Sequence, residues 1–148
     1  MRVVLQRVSS ASVTVDGQIV GQIAQGWLVL LGIEQGDSDR LIPWLAEKCV
    51  HLRAFEDEQG KMNRSILEVD GQMLIVSQFT LAGDCRKGRR PSFDRAAAPA
   101  QARDLYDLFC QQIANLGVHV ERGVFQADMK VALVNDGPVT FVIDHSGQ

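Results

Sequence analysis

Three Asp-Gly pairs, Asp16-Gly17, Asp70-Gly71 and Asp136-Gly137, stand between short apolar runs and commit the chain to a fold of many short strands. Such a pair readily takes the two positive-φ positions of a tight hairpin turn. The first two pairs predict hairpins, "SVTV" into "QIVGQI" and "SILEV" into "QMLIVS". The third contradicts itself, because Pro138 follows at once. A two-residue hairpin needs that position to donate an N–H back to the Asn135 carbonyl, and proline has none.

Around these turns, "RVVLQRV", "GVHVER", "DMKVALV" and "VTFVI" read as strands, and "GWLVLLGI" as a fully buried one. Leu41, Trp44, Leu45, Cys49 and Leu52 recur at helical spacing, with Pro43 tolerable in a first turn. Leu105, Leu108, Phe109, Ile113 and Leu116 predict a second helix after Pro99, ending at Gly117. Hairpins interrupted by two helices imply an α+β fold: a curved, mostly antiparallel sheet or partial β-barrel with two main helices packed on it. The 148 residues, 46% hydrophobic, suit one domain spanning 1–148.

A net charge of −3 confines any RNA contact to a local basic patch. Cys49, Cys85 and Cys110 are odd in number and widely spaced, which fits free thiols in a reducing cytosol. Arg7 interrupts the first apolar stretch, so no signal peptide is expected, and "WLVLL" is too short to span a membrane. A soluble cytoplasmic protein is the expectation. His51, His119 and His145 are isolated, which argues against a metal site. "GDCRKGRR" has the glycine spacing of a phosphate-binding P-loop, but Arg89 and Arg90 stand where Lys and Ser or Thr are needed.

Two stretches remain as chemistry. "VSQFTL" puts Ser77, Gln78 and Thr80 at the end of an apolar strand, directly before a basic loop. That loop gathers Arg86, Lys87, Arg89, Arg90 and Arg95 around Phe93, a candidate phosphate contact in an acidic chain. Cys85, flanked by Arg86, is a candidate reactive thiol with no base in view.

Taken together, "SQFTL" at Ser77–Leu81 and "NDGPVTF" at Asn135–Phe141 resemble the two signature motifs of the D-aminoacyl-tRNA deacylases, also called D-tyrosyl-tRNA deacylases. "QRVSSASVTVDG", "GKMN", "RRPSF" and "FQADM" agree with that family in kind and order. The resemblance implies hydrolysis of the ester between a D-amino acid and the terminal adenosine of tRNA. It implies a homodimer with no metal or organic cofactor. It also implies a cis Gly137-Pro138 bond that reaches into the partner's pocket and makes Asp136–Val139 a type VI turn. The carbonyls of Gly137 and Pro138 would hold the substrate ammonium, so that an L side chain meets backbone. Glycyl-tRNA would then pass the filter.

For the chemistry, backbone N–H groups around Phe79 and Thr80 are candidates for an oxyanion hole. Ser77 and Gln78 would shape the pocket, and Asn135 and Thr140 would brace the turn. Thr80 as covalent nucleophile is the competing route, without a visible base. Arg7 is a candidate prop for the Gly-Pro turn, and Phe125 and Met129 could border an adenine pocket or pack in the core. Two other classes stay open: an RNA-end binding module using residues 84–95, and a small-ester hydrolase built on Thr80 or Cys85.

Overall fold

A computed structural model describes residues 1–146. Strand β1 (Arg2–Val15) runs fourteen residues and organises the sheet. Its first half pairs antiparallel with β3 (Gly26–Gly32) and its second half with β2 (Gln18–Ile23). Along its opposite edge lies β8 (Lys130–Asp144), antiparallel from Arg2↔Asp144 to Thr14↔Lys130. The sheet continues from β3 to β6 (Gln72–Ser77) and β7 (His119–Arg122), both joins parallel. A two-stranded ribbon, β4 (Phe55–Glu56) and β5 (Met62–Arg64), stands apart.

The sheet curves until its two ends meet. A Cβ on Gly21 of β2 would lie 2.6 Å from the Arg122 carbonyl oxygen of β7, so the approach needs a glycine there. The result is the expected curved, nearly closed barrel with two helices on it. The sheet is mixed, with three antiparallel and two parallel joins.

Strand period two divides the interior. Trp27, Val29 and Leu31 of β3 face helix α1 (Ile42–His51) and helix α2 (Pro99–Asn115), where Leu45, Cys49, Phe109 and Ile113 close the main core. Leu28 faces the other way, into the barrel, with Val8, Val13, Ile23, Leu74 and Val76. Burial on both faces explains why "GWLVLLG" shows no alternation. The Tyr106 hydroxyl ties α2 to the sheet by donating to the Ile75 carbonyl at 2.6 Å.

Four expectations are corrected. "SILEV" is no strand: Ser65–Asp70 forms turns closed by Gly71 N–H to the Ile66 carbonyl at 2.9 Å, and the Asp70-Gly71 hairpin does not exist. Asp70 does take a positive φ of 53°, so the pair marks a local backbone need without reversing a ladder. "RVVLQRV" and "SVTV" are one strand, and so are "KVALV" and "VTFVI", because β1 and β8 pair on both sides of two register shifts, between Gln6 and Val8 and between Val8 and Ser10. On α2, Leu108 is 44% exposed, whereas Tyr106 and Cys110 are buried beside Leu105 and Phe109. No described helix is long and apolar enough to cross a membrane.

Candidate active site

β6 delivers Ser77 to the rim of the barrel beside Leu31, its register partner in β3. The chain then tightens into a 3-10 turn, Phe79–Ala82. Gln78 N–H donates to the Leu31 carbonyl at 2.8 Å, and Leu81 N–H to the Gln78 carbonyl at 3.2 Å. The N–H groups of Phe79 and Thr80 fall in the first turn, where no intrahelical acceptor exists. Among the described residues neither is hydrogen-bonded. Two preorganised donors therefore stand free at the end of a rigid strand.

They border a cavity of about 640 Å³ whose wall includes Ser77, Gln78, Phe79, Thr80, Phe125 and Met129, together with Val76, Val131, Pro99 and Ala102. Phe125 packs against the main core and Met129 against the barrel core, so each serves both as wall and as core. The Arg103 guanidinium lies 5.0 Å above the Phe125 ring. The Thr80 hydroxyl accepts from the Gln78 amide at 3.1 Å, which is an amide donor and no base. Among the described residues no group of three His, Cys, Asp or Glu is arranged to hold a metal ion.

Two contributors to the seat of this turn were not found in the sequence. Gly32 ends β3 under the turn: a Cβ there would come 2.8 Å from Leu81 Cβ and 3.3 Å from the Gln78 carbonyl oxygen. Arg2, the register partner of Gly32, donates from Nη1 to the Leu81 carbonyl at 3.2 Å. It is braced by Asp144 across the other edge, Nε to Oδ1 at 2.6 Å. A glycine closing the "GWLVLLG" run was the available signal for the first. For Arg2 there was none.

The second group of candidate residues gathers elsewhere. The Gly137-Pro138 bond is cis, and Gly137 takes φ 135°. Val8 pairs with Asn135 and Gln6 with Thr140, so residues 136–139 bulge from β8 opposite Arg7 without reversing it. Asn135 braces the bulge twice, its Nδ2 donating to the Thr140 hydroxyl and its Oδ1 accepting from Val139 N–H, both at 3.1 Å. Arg7 is buried with 5% exposure and spans two carbonyls, Asp136 at 3.1 Å and Ala54 at 2.8 Å. Neither Gly137 nor Pro138 lines the cavity of the same chain.

The basic loop is shaped by a two-bond bridge, Asp84 N–H to the Ser92 carbonyl and Ser92 N–H to the Asp84 carbonyl. Arg86 is occupied by Asp84, whose carboxyl it holds well below the usual carboxylate range through hydrogen bonding. Lys87, Arg89 and Arg90 are exposed and enter no ion pair among the described residues. Cys85 is exposed, whereas burial pushes the Cys49 thiol up to about 12 and the Cys110 thiol up to about 11.

A family model described as D-Tyr-tRNA(Tyr) deacylase matches residues 4–144. A D-aminoacyl-tRNA deacylase of Geotalea uraniireducens (strain Rf4) is 60% identical over 144 residues, covering 97% of this chain and 93% of that protein. Another, of Thermomicrobium roseum, is 62% identical over 97% of this chain and 94% of that protein. A solved structure named c-Myc DNA unwinding element binding protein superposes with a TM-score of 0.94 at 38% identity, covering 99% of this chain and 100% of that one. A probable eukaryotic D-amino acid tRNA deacylase shares the fold, with a TM-score of 0.84 at 20% identity and coverage of 97% and 98%. Since the matched span takes in both the Ser77–Thr80 turn and the Asn135–Phe141 bulge, the chain belongs to the D-aminoacyl-tRNA deacylase family.

Proposed function

We propose that this chain, as the D-aminoacyl-tRNA deacylase its family membership makes it, cuts the ester between a D-amino acid and the terminal adenosine of tRNA. The observation that carries the mechanism is the pair of unpaired N–H groups at Phe79 and Thr80 on the cavity wall. Aimed at the ester carbonyl, they stabilise the oxyanion that forms when water attacks, each donor being worth about 3–4 kcal/mol of barrier. The C–O bond to the ribose then breaks, and the ribose oxygen leaves with a proton, assisted by the neighbouring hydroxyl of the same sugar. Ser77 and Gln78 shape the carbonyl end, and Phe125 and Met129 flank the adenine. Thr80 as nucleophile ranks second, since its hydroxyl is bonded only to the Gln78 amide.

Chirality is sensed by the Gly137 and Pro138 carbonyls, which hold the substrate ammonium. Their distance from the cavity of their own chain supports a second copy as the source. The open outer edge of β8, which pairs only with β1 among the described strands, supports a homodimer. Residues 1–148 act as one unit in each subunit, in the cytoplasm where aminoacyl-tRNA is made. Lys87, Arg89 and Arg90 contact tRNA phosphates, and Arg86 joins them only by giving up Asp84. No metal or organic cofactor is needed.

Incubation with D-Tyr-tRNA, L-Tyr-tRNA and Gly-tRNA tests this reading. The D ester and the glycyl ester are expected to be cleaved and the L ester spared. An RNA-end binding module would release no amino acid, and a small-ester hydrolase would act on free amino-acid esters and ignore RNA. Cleavage of D-Tyr-tRNA with Gly-tRNA untouched refutes the backbone filter, and a fully active monomer refutes the shared pocket.

A further inference from the structure

Phe79 contributes more than its N–H. Its ring is 60% exposed, and the Phe93 ring, 36% exposed, stands against it with centroids 5.2 Å apart at 66°. Water-exposed aromatic pairs are an unfavourable use of apolar surface unless something covers them. This pair is also held in place. A Cβ on Gly83 would lie 3.1 Å from Phe93 Cε1, so the ring seats against bare backbone. The Asp84–Ser92 bridge and the Ala96 N–H to Phe93 carbonyl bond at 3.0 Å fix the segment on both sides.

The surroundings specify the occupant. Between Gly83 and Arg95 lie five cations, Arg86, Lys87, Arg89, Arg90 and Arg95, against Asp84 and Asp94, which makes +3 in a chain of net −3. An apolar partner protein would have no use for that charge, whereas a nucleic-acid strand needs both features: flat faces for bases and cations for phosphates. Phe79 also lies on the cavity wall between Gln78 and Thr80, so the platform is continuous with the proposed adenosine site.

We propose that Phe93, buttressed at 66° by the Phe79 ring, offers the stacking face for the base of the nucleotide preceding the terminal adenosine, while the loop cations meet the flanking phosphates. The proposal rests on the deacylase reading and extends it from the terminal nucleoside to the strand behind it. Stacking accepts any base, so the platform grips the shared 3′ end without reading tRNA identity.

The test uses one D-tyrosyl ester in four forms: on full tRNA, on the 3′-terminal trinucleotide, on that trinucleotide with an abasic penultimate residue, and on adenosine alone. In the unmodified protein, removing the penultimate base is expected to raise KM about ten- to a hundredfold with kcat held within about twofold. Phe93→Leu and Phe93→Met, which keep apolar bulk and lose the flat face, are expected to raise KM by a similar factor on tRNA and trinucleotide. They are expected to leave the adenosine ester unchanged and to add nothing once the base is absent. Phe93→Tyr is expected to behave as the parent. An abasic trinucleotide bound as well as the intact one overturns the proposal, whichever variants fold. So does a Phe93→Leu defect of equal size on the adenosine ester, which would make the ring a prop for the pocket. Failure of the unmodified protein to cleave any of the four esters removes the deacylase reading beneath it instead.

Discussion

Replacing Gly32 by alanine tests whether the position of the 3-10 turn sets the rate. The added Cβ would sit 2.8 Å from Leu81 Cβ, an atom fixed by backbone, and 3.3 Å from the Gln78 carbonyl oxygen. Carbon atoms in contact prefer roughly 3.5–4.0 Å, so the turn must retreat by about 1 Å. Overpacking of this kind costs about 1–3 kcal/mol of stability, and at this chain length each 1 kcal/mol lowers Tm by roughly 2–4 °C. The same retreat would carry the Phe79 and Thr80 N–H groups off the position proposed for the ester carbonyl, and a displacement near 1 Å can cost about a hundredfold in rate. Single-turnover hydrolysis of D-Tyr-tRNA, with melting followed by circular dichroism, reads both. We expect a folded protein with a lowered Tm and a rate down about fifty- to two-hundredfold. A clear fall in Tm with the rate within about threefold would refute the claim that these donors act through their placement.

Other outcomes follow from single contacts. Arg7→Lys keeps the charge and loses the fork that spans the Ala54 and Asp136 carbonyls, so D-Tyr-tRNA hydrolysis is expected to fall at least about tenfold and L-Tyr-tRNA to be cleaved measurably. Unchanged discrimination in the Arg7→Lys variant would free Arg7 from the bulge. Tyr106→Phe is expected to cost about 1 kcal/mol in urea unfolding, at the low end because the Ile75 carbonyl keeps its bond from Gly123 N–H at 3.2 Å. Thr80→Val, tested at saturating substrate, is expected to retain a substantial rate, and near-complete loss with folding intact would favour the nucleophile. In the native protein at pH 8 a maleimide is expected to label Cys85 alone, with Cys49 and Cys110 reacting only after denaturation, which mass spectrometry can count.

What was legible in the sequence was mostly local. Ser77–Thr80 announced itself because polar side chains interrupt an apolar strand just where it ends, although Leu31, Gly32 and Arg2, which seat the turn, lie far away in sequence. Helix α2 is readable from its spacing, yet that spacing puts Leu108 inside although it faces water. Periodicity alone does not choose between overlapping arcs, and Tyr106 enters because its hydroxyl finds the Ile75 carbonyl. The Asp70-Gly71 pair misled for a related reason. It encodes a positive φ, and whether the chain then pairs backward or enters β6 parallel to β3 is decided by the Leu28–Leu31 register partners. Arg2 lay furthest from reach, since its two partners, Leu81 and Asp144, are far along the chain.

The pairing of β1 with β8 has a consequence for synthesis. Strand β1 must wait for β8 before one of its edges is covered, because that partner ends at Asp144. The Met1 amine even meets the His145 carbonyl at 2.8 Å, and the His145 amide returns a bond to the Met1 carbonyl at 2.9 Å. A nascent chain stalled before Lys130 would carry β1 with all eleven of its pairings to β8 unmade on that side, an adhesive border in a crowded ribosomal exit environment. Completion of this barrel is thus tied to the emergence of β8, and termination before Lys130 should yield sticky fragments instead of a smaller working enzyme.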